Sequence, residues 1–280
     1  MTAAATSFPG WHPHVDSWAL LGLLLFAYLV AVRRHRASAG ATSTSTRQVV
    51  TFCAGVAVLL VASDWPVHDL AEGYLYSAHM VQHLMVTLVA ALLLVAGTPA
   101  WLARRLLSAP GLLATVRTLS RPVPALLQAN LVLVLSHWPV VVNATVRNHP
   151  LHFVAHAVLL LSAVLMWMPV ASPLPEVPRL KPPVQMLYLF LQTVVPTIPA
   201  SFLTFGTSPL YRVYETFPRL WNTSVLSDQQ IAGLIMKLGA GFYLWIVIAV
   251  IFFRWYAREQ AEEEVLTWDD VERELHRLRR

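Results

Sequence analysis

The chain has 280 residues, of which 56% are Ala, Val, Ile, Leu, Met, Phe, Trp, Tyr or Cys and 12% are Asp, Glu, Lys or Arg, about half the usual share of charge. Mean hydropathy is +0.57 and the formal net charge is +5. Long apolar runs parted by bunched charges exclude a disordered chain, a soluble enzyme and a nucleic-acid binder. They indicate a polytopic membrane protein. The single cysteine, Cys53, excludes an intrachain disulfide framework and a Cys-rich metal knot.

Seven apolar runs follow one another, at roughly 17–32, 48–63, 77–97, 124–142, 151–170, 184–206 and 231–253. A bilayer core of about 30 Å takes about 20 helical residues, and runs of this length exclude barrel strands. The expected fold is all-α, with seven transmembrane helices in residues 1–256 and a tail over 257–280. The first two runs are short and borrow Trp11, Trp18 and Trp65 from their flanks. No Lys or Arg precedes the first run, so no cleavable signal peptide is expected. Segment 37–46, rich in Ser, Thr and Ala, reads as a flexible loop, and 171–183 as a Pro-rich linker. Pro196 and Pro199 predict a kink in run six, with Thr193, Thr197 and Ser201 as polar neighbours. In the tail, Val271, Leu275 and Leu278 recur at helical spacing, which predicts a short amphipathic helix.

The basic residues set the orientation. Of the 20 Lys and Arg, all but Arg147, Arg212, Arg219 and Lys237 lie in segments 33–47, 98–123 and 171–183 or in the tail. Positive residues mark the cytoplasmic side. The N-terminus is therefore expected outside and the C-terminus in the cytoplasm, as an odd number of spans requires.

On that topology all of the 11 histidines except His35 and His276 fall at or near the outer face. Run three opens with SAHMVQH, so His79 and His83 share one helical face at i and i+4. Run five opens with HPLHFVAH and repeats the spacing with His152 and His156. His137 ends run four in HWP at the same level. Ionisable residues within a span are expensive and usually face the bundle interior. Five imidazoles at one depth suit copper, zinc, iron or nickel, and thioethers from Met80 and Met236 would favour Cu(I). One-turn spacing on each helix suits a single chelated ion better than stacked haems, and no CxxCH motif is present. His12, His14, His68 and His149 read as ordinary loop residues.

Several other residues allow two readings. Asp228 is expected either to cap run seven or, with Gln229, to hydrogen-bond ligand imidazoles. Lys237 snorkels from run seven, or pairs with Asp228 or Asp64 near the site. Met166, Met168 and Cys53 lie toward the inner end, as packing residues or as the inner half of a copper path. Walker A, GxGxxG, GxSxG and HExxH motifs are all missing, and no nucleophile–base pair is evident, so the chain is not expected to be an enzyme.

SAHMVQHLM (77–85), HWP (137–139), HPLHFVAH (149–156), LTFGTSPLYRVY (203–214) and DQQIAGLIM (228–236) occur in the order that marks the multi-span CtaG-type cytochrome c oxidase assembly proteins of caa-type oxidases. The chain resembles that family from about residue 60 to 256. The resemblance implies a multi-pass protein of the bacterial plasma membrane, needed to mature respiratory cytochrome c oxidase through its copper centres. Oxidase subunits and another copper chaperone would be its partners. The family's recurrent histidines match His79, His83, His152 and His156, and its HxP element matches His137. After GLIM the family continues with Trp and Pro, where this chain has Lys237 and Leu238. The leading expectation is an assembly factor that holds copper at the outer His cluster. A membrane copper transporter, a metal-free scaffold and, more distantly, a haem protein are the alternatives.

Overall fold

The computed structural model describes residues 8, 10–40, 43–263 and 268–278. Among them there is no strand. Helix α1 is Val15–Ala39, α2 is Thr46–Ala62 and α3 is Val67–Gly73. Helix α4 joins Tyr76–Leu84 to Ala91–Gly97 through a π turn, Met85–Ala90. Two short helices, α5 (Ala100–Leu106) and α6 (Leu112–Leu119), occupy what the sequence presents as a loop. Next come α7 (Pro122–Ser136), α8 (Pro139–Thr145) and α9 (His149–Ala171). Helix α10 comprises Pro182–Val194 and Thr197–Phe205. Helix α11 comprises Val225–Leu234, a second π turn at Ile235–Gly239, and Ala240–Glu263, and α12 is Trp268–Leu278.

Five of these, α1, α4, α9, α10 and α11, are long and apolar enough to cross a bilayer. Counting the bent pairs α2/α3 (41°) and α6/α7 (86°) as one span each brings the number to seven, which accommodates the seven apolar runs. The fourth run differs from its expected 124–142. Trp138 is extended, with φ −70° and ψ 134°, because a residue before proline is driven out of the helical region. Helix α7 therefore stops at Ser136, and His137 sits in the break. The expected kink in run six is present at Val195–Pro196. Thr197 Oγ1 donates to Thr193 O at 3.1 Å and Ser201 Oγ to Thr197 O at 2.7 Å, which satisfies carbonyls near the proline break. Helix α11 runs past residue 256 without a break to Glu263. In α12, Leu275 and Leu278 are exposed, and the Val271 side chain lies outside the described residues.

The starts of these helices are legible in their chemistry. Ser45 and Gln48 form a reciprocal capping box on α2, Asn148 caps α9, and Ser224 caps α11. Proline occupies the first turn of α7, α8, α9 and α10, where its missing N–H costs nothing.

The largest core cluster surrounds Trp167, with Tyr188, Leu189 and Leu244. Trp167 Nε1 donates to Thr87 O at 2.9 Å. Thr87 lies in the π turn of α4, where the regular hydrogen-bond pattern is interrupted. Beside this core a polar ladder ties three helices: Asn130 Nδ2 donates to Gln192 Oε1 at 2.8 Å, Gln192 Nε2 to Tyr188 OH at 3.0 Å, and Tyr188 OH to Met166 O at 2.8 Å. Replacing Asn130 by Leu should destabilise the bundle by about 1 kcal/mol, the usual scale of such bonds in a membrane. Unfolding in mixed detergent micelles measures it, and an unchanged midpoint refutes the ladder's contribution.

Helices α2 and α4 meet closely at Gly97, where an added Cβ would lie 2.4 Å from Phe52 N. The obstacle is backbone, so neither helix can yield locally. Gly97→Ala should cost about 1–3 kcal/mol, and wild-type thermal stability in detergent would contradict this contact. Helix α1 is the most peripheral span. It is fastened at one end by Trp18 Nε1 to Asp64 Oδ2 (2.9 Å), and further along by Tyr28 stacked on Phe52 at 3.7 Å.

Candidate metal centre

The site lies where α4, α7 and α9 converge, and it starts with a buried carboxylate. Asp228 on α11 accepts from the backbone N–H of Tyr76 (2.7 Å) and Ser77 (3.1 Å), and from the Ser77 hydroxyl. It thus caps the neighbouring helix α4, whose own N-cap position, Leu75, offers no side-chain acceptor. This corrects both readings of Asp228 from sequence: Ser224 caps α11, and Asp228 bonds backbone amides, not an imidazole. Gln229 likewise serves the backbone, accepting from Leu210 N at 2.6 Å.

So anchored, α4 brings His79 and His83 together with ring centroids 4.2 Å apart. On α9, His152 and His156 are 4.3 Å apart. The two pairs interlock: His83 to His156 is 5.1 Å, and His79 to His152 is 5.7 Å. One nitrogen from each of His79, His83 and His156 lies within 4.8 Å of the others. Of these three, His79 and His83 are buried and His156 is half-buried. His79 Nδ1, His83 Nδ1, His156 Nε2 and His152 Nδ1 have no hydrogen-bond partner, while His152 Nε2 faces the Glu72 carboxylate. Buried imidazole nitrogens without partners are costly, and three of them around one space are what a bound cation would satisfy.

His137 extends the cluster, 5.7 Å from His83. Its Nδ1 faces Leu133 O at 2.7 Å. A carbonyl only accepts, so Nδ1 carries the proton and the neutral ring has a bare Nε2. That Nε2 faces Met80 Sδ at 3.4 Å. Two lone-pair groups therefore oppose each other with no proton between them, an arrangement that a soft cation stabilises. Met80 is fully buried here, whereas Met236, also buried, lines a small cavity of about 80 Å³ with Met166, Asn130 and Gln192. Lys237 is exposed and, among the described residues, forms no ion pair with Asp228 or Asp64. Met168 packs in the Trp167 core.

The cluster opens into a cavity of about 380 Å³ between α7, α8 and α9, walled by residues such as Leu135, Val140, Val158 and Leu159. At the same end of the bundle, the segment after α10 lies over the site. Tyr211 OH donates to His137 O at 2.8 Å, and Val213 N to Asn143 Oδ1 at 2.9 Å. The LTFGTSPLYRVY motif therefore contributes a cover, not ligands.

A family model described as cytochrome c oxidase caa3 assembly factor matches residues 26–258. The chain belongs to that family. Its match begins within α1 and reaches the end of the last span, beyond the motif-bearing stretch from about residue 60. No curated protein and no solved structure gives a significant match. As a caa3 assembly factor, the protein is associated with cytochrome c oxidase, and its apolar helices make it a membrane protein.

The assembly factor's site includes residues that the sequence reading set aside. His68 and Glu72 share a face of α3 at i and i+4. Glu72 Oε1 is 3.2 Å from His152 Nε2 and 3.3 Å from His68 Nε2, and Oε2 is 3.4 Å from His149 Nδ1. Gln82 Nε2 reaches Ala62 O (2.8 Å) and His68 Nδ1 (3.2 Å). The Ala62 carbonyl forces the amide to donate, which leaves His68 Nδ1 as acceptor and its Nε2–H toward Glu72. His14 pairs with Asp64 at 3.1 Å and meets His68 at 4.8 Å between rings. The signal was present in VHDLAEG, where His and Glu stand one turn apart, but nothing in the sequence placed that turn against α9.

Proposed function

We propose that this assembly factor holds copper at the His79–His83–His156 cluster, with His152, His137 and Met80 as adjoining ligands, and delivers it to the oxidase as its copper centres mature. The observation that carries the reading is the set of buried, unpartnered imidazole nitrogens converging from α4 and α9. Neutral nitrogen donors beside a thioether fit copper better than a hard cation. The ion is cargo. Its transfer needs only exchange of ligands, with no covalent chemistry, so the protein acts as a metallochaperone and not as an enzyme.

The arginine-rich loops gather at the end opposite the His79–His83–His156 cluster. There His35 stacks on Trp101 at 4.0 Å and Arg104 meets Glu176 at 2.7 Å. With positive loops in the cytoplasm, the histidines face the outside of a bacterial plasma membrane, and the N-terminus lies outside. Copper received there passes to an oxidase subunit or to a second chaperone.

The test is copper per chain, by elemental analysis, on detergent-purified protein loaded with Cu(I) and desalted. Near-stoichiometric copper is expected in the wild type and none after His79, His83, His152 and His156 are all changed to Ala. A wild type without copper would refute the reading and leave a metal-free scaffold. The cavity between Met236 and Met166 favours one rival, a transporter with an onward path. Copper uptake into proteoliposomes separates the two, and the chaperone reading expects none.

Glu72 should act through His152. An orienting carboxylate contributes about 10–100-fold to metal affinity, so Glu72→Gln should lower copper retention by roughly 10-fold while leaving the helical content unchanged. Undiminished retention in a competition titration would remove Glu72 from the site.

A further inference from the structure

At the arginine-rich end, α1 stands apart from α2 and α5 and leaves a cleft of about 770 Å³. The cleft has two chemically distinct parts. Its walls are apolar, with Leu24, Ala31 and Leu106 among them, and its mouth carries Arg34 and Arg105. Both arginines are exposed. Among the described residues, neither guanidinium has a carboxylate or hydrogen-bond partner, and the nearby Glu176 is taken by Arg104 at 2.7 Å. Segments 33–63 and 98–123 contain no Asp or Glu at all, so the segments that carry the two arginines bring no carboxylate of their own to the mouth.

We propose that this cleft binds one anionic phospholipid, its phosphate held by Arg34 and Arg105 and an acyl chain lying along Leu24, Ala31 and Leu106. Guanidinium groups pair with phosphate through parallel N–H bonds, and basic pockets between spanning helices are suited to anionic headgroups. A soluble polyanion would use the arginines and leave the apolar walls bare. Free phosphate would do the same. A zwitterionic lipid would fill the walls but bring its own cation to an already positive mouth. Only an anionic lipid matches both parts. The bound chain would also wedge α1 against the bundle, to which it is otherwise fastened by few contacts. This inference is independent of the copper reading.

The experiment uses the full chain in mild detergent, delipidated and then exposed to mixed micelles of phosphatidylglycerol or phosphatidylcholine, with retained lipid counted by native mass spectrometry. One phosphatidylglycerol per chain is expected, preferred over phosphatidylcholine by at least about 10-fold. Arg34→Ala with Arg105→Ala should abolish that preference, and phosphatidylglycerol should raise the melting temperature of the wild type alone. Ala31→Leu keeps both charges and narrows the cleft, so it should also lose the lipid, which guards against a misfolded arginine variant. Equal retention of the two lipids, or undiminished phosphatidylglycerol in either variant, overturns the proposal. So does a melting shift reproduced by inorganic phosphate alone.

Discussion

Changing His83 to Ala should lower copper retention by about 100-fold, the upper end of the cost of losing a residue that merely orients a ligand. His83 is the ring common to both arms of the cluster, 4.2 Å from His79, 5.1 Å from His156 and 5.7 Å from His137. Removing it leaves two of the three nitrogens and parts them from the His137–Met80 pair. In cells at limiting copper, the oxidase should be made but should lack copper and activity. Surplus copper should restore part of both, because delivery and not synthesis is impaired. The measurement is oxidase copper and turnover in membranes from cells carrying the variant. His12, exposed and away from the cluster, is the control position. Normal oxidase copper with His83→Ala and His156→Ala combined would end the copper reading.

Asp228→Ala should be the most damaging substitution that touches no imidazole. It leaves the Tyr76 and Ser77 amides without their acceptor in a buried setting. Charge-assisted bonds contribute about 1.5–3 kcal/mol each, and a stranded buried donor about 1–3 kcal/mol, so a loss of about 3 kcal/mol is expected for the variant. Because those amides fix the first turn of α4, the placement of His79 and His83 should suffer with it. Asp228→Asn retains a carbonyl oxygen as acceptor and should recover part of the stability. Unfolding midpoints in detergent and copper retention should fall together for Ala and less for Asn. Wild-type copper retention in a destabilised Asp228→Ala protein would show that the cap does not position the site.

Gly233 shows how tightly this corner is built. A Cβ there would lie 2.9 Å from Ala200 O, so α11 can carry Asp228 to α4 only while packed hard against α10. The cap, the α10–α11 contact and the histidine pair on α4 are therefore one mechanical unit. The two π turns sit next in line on the same two helices, one after His83 and one containing Met236. Both mark where the helices depart from regular winding beside the candidate site, as π turns often do.

The sequence by itself determined much of this protein. Hydropathy alone marks the spans, because lipid offers no hydrogen bonds and a crossing chain must be helical. The i,i+4 spacing of His79 with His83 and of His152 with His156 put each pair on one face, a consequence of helix geometry that needs no tertiary information. The proline kink in α10 was equally local. Tertiary structure decided the rest, because those contacts join residues distant in the chain. Asp228 lies 151 and 152 positions from the amides it caps, and its acidic side chain at the start of α11 looked like a cap for its own helix. His68 looked like a loop residue, and nothing in the sequence singled out Glu72, until α3 was folded against the first turn of α9. Met80 gained a partner in His137 only because a proline ended α7 early and turned that ring inward. Periodicity specifies which face a side chain takes on its own helix. Which other helix that face will meet is set by packing, and in this protein the packing selected the ligand set.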